Sequence, residues 1–440
     1  MSESALNKLQ TDLHAPLTRH EASVEADRCY FCFDAPCVTA CPTGIDIPLF
    51  IRQIKTDNPK GAATTIFNDN IFGGMCARVC PTETLCEEKC VRTVGEEKPV
   101  LIGQLQRYAT DVMMATGKQP FTRAAERSTK IAVVGAGPAG LSCAHRLALH
   151  GHQVKVFDAA DKPGGLNEYG IAAYKTIDDF AAREVNYILS IGGIEVVSNQ
   201  VLGKDITLER LKADYDAVFL GMGLADVNVL GILGSDLEGV QDAVQFIAQL
   251  RQATELSALQ PSIGKHVVVI GGGMTAIDAA VQSKMLGAEN VTVVYRRAQS
   301  DMNASEFEQQ LAQKNGVLLR THLQPQEILG AGGQVTGIRF EYTSSNHGSL
   351  TGNGETLDIE CDRLLVAIGQ QFLPDSLTGS VDVALQSNRI KVDADRRTSD
   401  ERIWAGGDCI LGGEDLTVAA VQDGKLAAES IHSTLENVHG

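Results

Sequence analysis

The sequence predicts an α/β fold with two Rossmann-like domains behind an α-helical, cysteine-rich head. Three observations predict it. Two units of apolar strand and glycine loop begin at Lys130 and Lys265. A further pair of buried strands, one ending in glycine and the other in an acid, recurs near the C-terminus. Eight of the eleven cysteines fall within the first 90 residues.

Length and composition set the frame. The 440 residues suffice for two to four domains, each with its own core. Composition is that of an ordinary globular protein, 44% hydrophobic and 21% charged. The net charge of −17 argues against a nucleic-acid or anionic-membrane partner. The first 28 residues lack an apolar signal segment, and no run of about 18 apolar residues occurs. An odd cysteine count, clustered rather than spread, disfavours a secreted disulfide scaffold, and the expected location is the cytoplasm.

Residues 1–127 form the head. Apolar spacing predicts helices around Pro48–Ile54 and Ala62–Phe67, with cysteine loops between helices. The cysteines run Cys29-x2-Cys32-x4-Cys37-x3-Cys41-Pro42 and Cys76-x3-Cys80-Pro81-x4-Cys86-x3-Cys90. Short spacers let one loop supply several thiolates, and the last cysteine of such a run often serves a second cluster. The pattern therefore predicts two [4Fe-4S] clusters. Structural zinc uses paired Cys-x2-Cys doublets and fits a single tight run followed by proline poorly. Eight inert core thiols at such spacing are a weaker alternative. The thiol count alone does not divide the ligands between clusters.

Lys130–Val134 reads as a buried strand leading into Gly135-Ala136-Gly137-Pro138-Ala139-Gly140, a full G-x-G-x-x-G, and then an Ala/Leu-rich helix. Gly135 permits the tight turn, Gly137 lets a pyrophosphate approach the backbone, and Gly140 lets helix and strand pack closely. The next strand ends at Asp158, where a carboxylate can bind ribose hydroxyls. The second unit repeats the logic with Gly271, Gly273, Thr275 and Ala276. Its following strand ends in Arg296-Arg297 instead of an acid. Two guanidinium groups there favour a 2′-phosphate, hence NADP(H), unless they are simply solvated arginines. Two nucleotide domains imply two nucleotides, most simply FAD and a nicotinamide dinucleotide. The strand ending at Gly407-Asp408 suits a flavin: the acid can hold the ribityl chain, and the helix after Thr417 can aim its N-terminus at the ring carbonyls. The plainer alternative for Asp408 is a helix cap. Cys143, Cys361 and Cys409 are isolated in apolar surroundings and read as core thiols.

Together these motifs resemble a family of iron–sulfur flavoproteins. It includes the small subunit of glutamate synthase and the N-terminal half of dihydropyrimidine dehydrogenase, which in bacteria is a separate subunit. The resemblance spans about residues 20–435. Cys41-Pro42-Thr43, Asn68-Asp69-Asn70 and Ile102-Gly103-Gln104-Leu105-Gln106 look like the dihydropyrimidine dehydrogenase branch. The resemblance implies a flavin domain in two segments, 128–230 and 362–440, with the nicotinamide domain 231–361 inserted between them. It implies that Gly164, Gly165, Leu166 and Lys175 line FAD, lysine standing where the family carries arginine. It further implies one cluster on Cys29, Cys32, Cys37 and Gln106, another on Cys41, Cys80, Cys86 and Cys90, and a free Cys76. Asn303 replaces a basic residue of NADPH-using relatives, so NAD(H) stays open beside NADP(H).

The expected chemistry is hydride transfer from nicotinamide to flavin, then single-electron transfer to the clusters, with no side chain needed as acid or base. No Cys-x2-Cys pair follows the second glycine loop, unlike the thioredoxin reductases that share the double-nucleotide plan. No substrate barrel follows the flavin segment. The resemblance therefore implies a partner, an FMN and iron–sulfur subunit that binds the pyrimidine and reduces uracil or thymine to the 5,6-dihydro form, or the reverse. A glutamate synthase large subunit and a stand-alone acceptor or ferredoxin reductase are the alternatives.

Overall fold

The structure, a computed structural model, describes residues 11–253, 263–346, 349–377 and 383–439. The chain divides into two compact units. One comprises His14–Glu168, Asp178–Ala225 and the segment from Phe372 onward; the other comprises Tyr169–Ile177 and Asp226–Gln371, together with the segment ending at Leu13.

The first unit joins the helical head to a five-stranded parallel sheet. The head's helices include Arg19–Asp27, Ile47–Lys55, Pro59–Asp69, Gly73–Val79 and Ile102–Met114. Local signals set their limits. Asp46 accepts the Leu49 N–H, and Asn58 accepts the Gly61 N–H, each just before a proline that tolerates the first turn. Ile47, Phe50, Ile51 and Ile54 are buried at helical spacing and face the neighbouring helices. The sheet runs Ile403–Ala405, Ala217–Leu220, Lys130–Val134, Gln153–Phe157, Ile194–Val197. All four pairings are parallel. Its strands are short runs of Val, Ile, Ala and Phe, as expected where both faces are covered.

The second unit holds another five-stranded parallel sheet, with its glycine-loop strand again central but its edge strand first in the chain rather than last. Val240–Asp242, Arg363–Val366, His266–Ile270, Asn290–Val294 and Leu318–Arg320 form its parallel sheet. An antiparallel sheet of Leu323–Ala331, Gln334–Asn346 and Ser349–Glu360 accompanies it.

The observed division differs from the expected boundaries in two respects. The strand Arg363–Val366 pairs with His266–Ile270 and Val240–Asp242, so the return to the flavin sheet comes after Gln371, not at residue 362. An apolar Leu-Leu-Val run would satisfy either sheet, and its partner is decided by contacts far away in sequence. The head and the flavin segments fall together in one unit.

Candidate flavin, nicotinamide and cluster sites

The flavin loop is assembled by close backbone packing. Gly135 has φ +100°, and a Cβ there would lie 2.2 Å from the Gly221 carbonyl oxygen. A Cβ on Gly140 would lie 1.9 Å from the Gly135 oxygen, which seats the helix Pro138–Leu149 directly on the strand. Gly137 by contrast meets only the Gly165 Cα, at 3.8 Å, leaving room for a pyrophosphate above its backbone. The Gly164-Gly165 pair folds onto this loop: the Gly164 N–H donates to the Ala136 oxygen at 2.8 Å, and both glycines have positive φ. Leu166 opens the short helix that follows. Asp158 accepts the backbone N–H groups of Ala136 and Ala160, so it rigidifies the loop. Burial pushes its carboxyl above the usual range, against those two hydrogen bonds.

The C-terminal motif joins the same site. Gly407 has φ +79°, and its added Cβ would touch the Ala139 Cβ at 3.2 Å. Asp408 follows immediately, with its carboxyl raised to about 7 by burial and by Asp415 nearby. Sequence reasoning missed the residues that fasten this motif. Asp423 accepts the Gly407 N–H at 2.8 Å and is paired with Arg396. Gly424 has no room for a side chain, since a Cβ would stand 2.1 Å from the Ala139 oxygen. The Thr417 hydroxyl reaches the Asn167 side chain at 2.8 Å and ties the helix Thr417–His439 to the segment after Gly164-Gly165. Asp423 and Gly424 sit in a run that reads as ordinary helix.

The raised Asp408 carboxyl has a consequence for stability. The folded chain holds this proton more tightly than the unfolded chain does, so its contribution to stability falls as pH rises from about 4 to about 7. Asp408→Asn removes that slope. The expected outcome is a smaller drop in thermal midpoint between pH 5 and pH 8 than in the parent. An unchanged drop would mean that Asp408 titrates normally.

In the second unit, Gly271 has φ +149°, with Ala367 O 2.2 Å from its added Cβ, while nothing lies within 4 Å of a Cβ on Gly273. Thr275 and Ala276 lie in the first turn of the helix Met274–Met285. This again is a tight turn with open space beside its second glycine. Arg296 and Arg297 lie just past the strand Asn290–Val294 with exposed side chains. Their carbonyls accept from the Thr343 hydroxyl and the His322 N–H, which fixes the backbone and leaves both guanidinium groups in solvent.

Lys175 falls outside the unit that holds the flavin loop. It belongs to the second unit, buried between Asp278 at 2.8 Å and Glu308 at 2.7 Å, with the Tyr174 hydroxyl on Asp278 as well. Burial pulls its pKa down, but the two carboxylates outweigh that and hold the ammonium charged. Its charge is spent on this ion triad.

In the head, the thiols fall into two groups. Cys29, Cys32, Cys37 and Cys90 line one part-open pocket, with Ile47, Ile51, Val100 and Ile102. Cys37 is pushed up to about 12 by burial and by its neighbours Cys29 and Cys90. The Phe31 N–H points at the Cys29 sulfur, 3.4 Å away, from a residue held at φ +53°. Cys80 interacts with Cys76, Cys86 and Cys41, and its thiol is raised by the Cys76 contact first and by burial second. Among the described residues no three His, Cys, Asp or Glu side chains converge on a single ion. Crowded, desolvated thiols ionise only beside a positive centre, which cluster iron provides. Both groups therefore fit thiolate-held clusters.

This grouping differs from the expected ligand sets. Cys90 stands with Cys29, Cys32 and Cys37, not with Cys41, Cys80 and Cys86. The Gln106 Nε2 donates to the Gly73 oxygen at 2.7 Å, at the start of the helix that carries Cys76 and ends at Cys80. That helix is bolted to the flavin segment. Buried Glu184 accepts the N–H groups of Gly74 at 2.8 Å and Met75 at 3.0 Å, and burial pushes its carboxyl up to about 8. Arg78 packs 3.5 Å over the Phe180 ring and grips Asp111. Cys143, Cys361 and Cys409 are buried.

Fold and site define an NAD(P)H-dependent flavin and iron–sulfur oxidoreductase. A profile of the pyridine nucleotide-disulphide oxidoreductases matches residues 129–424, and one described as dihydropyrimidine dehydrogenase domain II, 4Fe-4S cluster, matches residues 6–118. The chain belongs to this family of iron–sulfur flavoproteins, alongside the bacterial dihydropyrimidine dehydrogenase subunit PreT and the glutamate synthase small chain. It is 36% identical over 412 residues to the NAD-dependent dihydropyrimidine dehydrogenase subunit PreT of Escherichia coli K12, covering 94% of both chains. It is 33% identical over 448 residues to the glutamate synthase (NADPH) small chain of the same organism, covering 97% of this chain and 94% of that one. Among solved structures, FprA of Mycobacterium tuberculosis in complex with NADPH aligns with TM-score 0.60 at 18% identity, covering 71% of this chain and 86% of that one. Thioredoxin reductase of T. acidophilum aligns with TM-score 0.55 at 24% identity, covering 70% and 98%. These two share the fold. FAD, NAD(P)H and [4Fe-4S] clusters are the cofactors of the chain. No helix among the described residues is long and apolar enough to cross a membrane.

Proposed function

We propose that the chain is the electron-input subunit of a cytoplasmic dihydropyrimidine dehydrogenase. The observation that carries this reading is the 36% identity to PreT along 94% of both chains, together with the two thiol groups of the head. The net reaction of the complex moves two electrons and a proton from NAD(P)H, with one further proton, onto uracil or thymine to give the 5,6-dihydropyrimidine; the reverse direction uses the same site. FAD when bound accepts a hydride and releases electrons one at a time, and the clusters take single electrons. The residues of this chain bind and orient. Gly135, Gly137, Pro138, Ala139 and Gly140 hold the flavin pyrophosphate at a helix N-terminus, with Asp158 on the ribose side and Asp408 on the ribityl side. Gly271, Gly273, Thr275 and Ala276 hold the nicotinamide dinucleotide. Cys29, Cys32, Cys37 and Cys90 ligate one cluster. Cys41, Cys80 and Cys86 ligate the other, with Gln106 as the fourth ligand. The pyrimidine binds on a partner FMN and iron–sulfur subunit.

A second reading is supported by the 33% identity to the glutamate synthase small chain, with a different acceptor subunit. Co-expression with each candidate partner, followed by assays for uracil-dependent and for glutamate-forming NAD(P)H oxidation, separates the two. Uracil-dependent oxidation without any second chain would defeat the partner requirement.

Arg296 and Arg297 bear on the choice of nicotinamide. A charge-assisted hydrogen bond to a phosphate contributes about 1.5–3 kcal/mol. The double variant Arg296→Ala/Arg297→Ala is expected to raise KM for NADPH roughly 10- to 100-fold and to leave KM for NADH unchanged. Equal values before and after, with both cofactors, would make these two arginines solvated surface.

A further inference from the structure

We propose that Lys425 is a positioning residue for electron transfer, placing a fixed positive charge beside the cluster held by the Cys41 loop and so favouring its reduced form. The inference rests on the reading that Cys41, Cys80 and Cys86 hold a cluster.

Lys425 lies on the helix Thr417–His439, whose first turn meets Asn167 beside the flavin loop and whose Asp423 holds Gly407. One residue past Gly424, its side chain leaves the flavin segment and enters the head. The ammonium donates to the Thr43 oxygen at 3.2 Å and the Asp69 oxygen at 3.1 Å, and stands 3.5 Å from the Asp69 carboxylate. Thr43 in turn has its hydroxyl 3.3 Å from the Cys41 sulfur. The lysine side chain is only 16% exposed. Burial lowers its pKa and Asp69 opposes that, with Cys41 adding to the support and Arg146 working against it.

A long cationic side chain is costly to bury for packing alone, and an apolar residue would join the two segments at less expense. Here the cation meets carbonyls and one carboxylate next to a thiolate loop, in a chain of net charge −17. Reduction adds one negative charge to a cluster. A nearby cation in a poorly solvated region stabilises that added charge and shifts the equilibrium from flavin toward cluster. The helix that begins at the flavin thus carries the charge that draws the electron onward.

The test is potentiometric titration of the full chain, loaded with FAD and iron, followed by electron paramagnetic resonance. Lys425→Met is expected to shift the flavin-to-cluster equilibrium about tenfold against the cluster, a fall of ~59 mV for a one-electron couple. The affected signal is the one that Cys86→Ser disturbs and Cys90→Ser leaves intact. Lys425→Arg keeps the charge and is expected to keep the midpoint. Asp69→Asn removes the counter-charge and is expected to raise the midpoint, which tests the proposal even if Lys425→Met fails to assemble. An unmoved midpoint in Lys425→Met with full iron and flavin would overturn the proposal, as would equal shifts in the Met and Arg variants or a fall in Asp69→Asn. A parent protein without iron and sulfide would overturn the cluster reading itself.

Discussion

Cys90→Ser is expected to strip roughly half the iron from the purified chain and to abolish one of two cluster signals. The reason is the gathering of Cys29, Cys32, Cys37 and Cys90 on one pocket. Serine is a poor iron ligand, and the three remaining thiols would hold an incomplete or labile cluster. The companion variant Gln106→Leu addresses the other group, because the Gln106 amide sits against the helix that ends at Cys80. It is expected to perturb the second signal and spare the first. If Cys90→Ser instead removed the signal that Cys86→Ser removes, the two pockets would be wrongly divided.

The second large effect is expected at Gly135. Alanine there needs a positive φ that L-residues avoid and puts a methyl 2.2 Å from a backbone oxygen. The conformational penalty is about 1 kcal/mol or more, and overpacking adds about 1–3 kcal/mol. The obstructing atom belongs to Gly221, at the end of the neighbouring strand, so relief requires parting two strands of the flavin sheet. Gly135→Ala is therefore expected to emerge without its yellow cofactor while retaining iron in the head. Absorbance at the flavin bands against iron content checks it. Stoichiometric flavin in this variant would show that the turn adapts.

The glycine loops were legible because every part of the signal is local: strand, turn, helix and second strand follow within about 30 residues, as a βαβ unit requires. The helical head was legible for the same reason, from Ile47, Phe50, Ile51 and Ile54. What the sequence concealed is non-local. Leu364-Leu365-Val366 is a good strand for either sheet, and only its pairing with Val267–Ile270 decides. Lys175 follows the Gly164-Gly165 pair by ten residues, but its carboxylates come from positions 278 and 308. Family resemblance put Gln106 with Cys29, Cys32 and Cys37, whereas its amide meets Gly73, a contact that depends on how the helix Ile102–Met114 lies against Gly73–Val79. Asp423, Gly424 and Lys425 look like any helix interior, and their meaning appears only when Ala139, Gly407 and Thr43 stand beside them.

The strand Ile403–Ala405 closes the flavin sheet against Ala217–Leu220, with the whole contiguous stretch 226–371 intervening. On the ribosome, at about 5–20 residues per second, the earlier strand waits about 10–40 s for its neighbour. During that interval its edge is bare and open to wrong pairing, while the nicotinamide segments can already be complete. A chain ending anywhere between residues 372 and 402 would lack the strand that completes this sheet and would keep that edge bare.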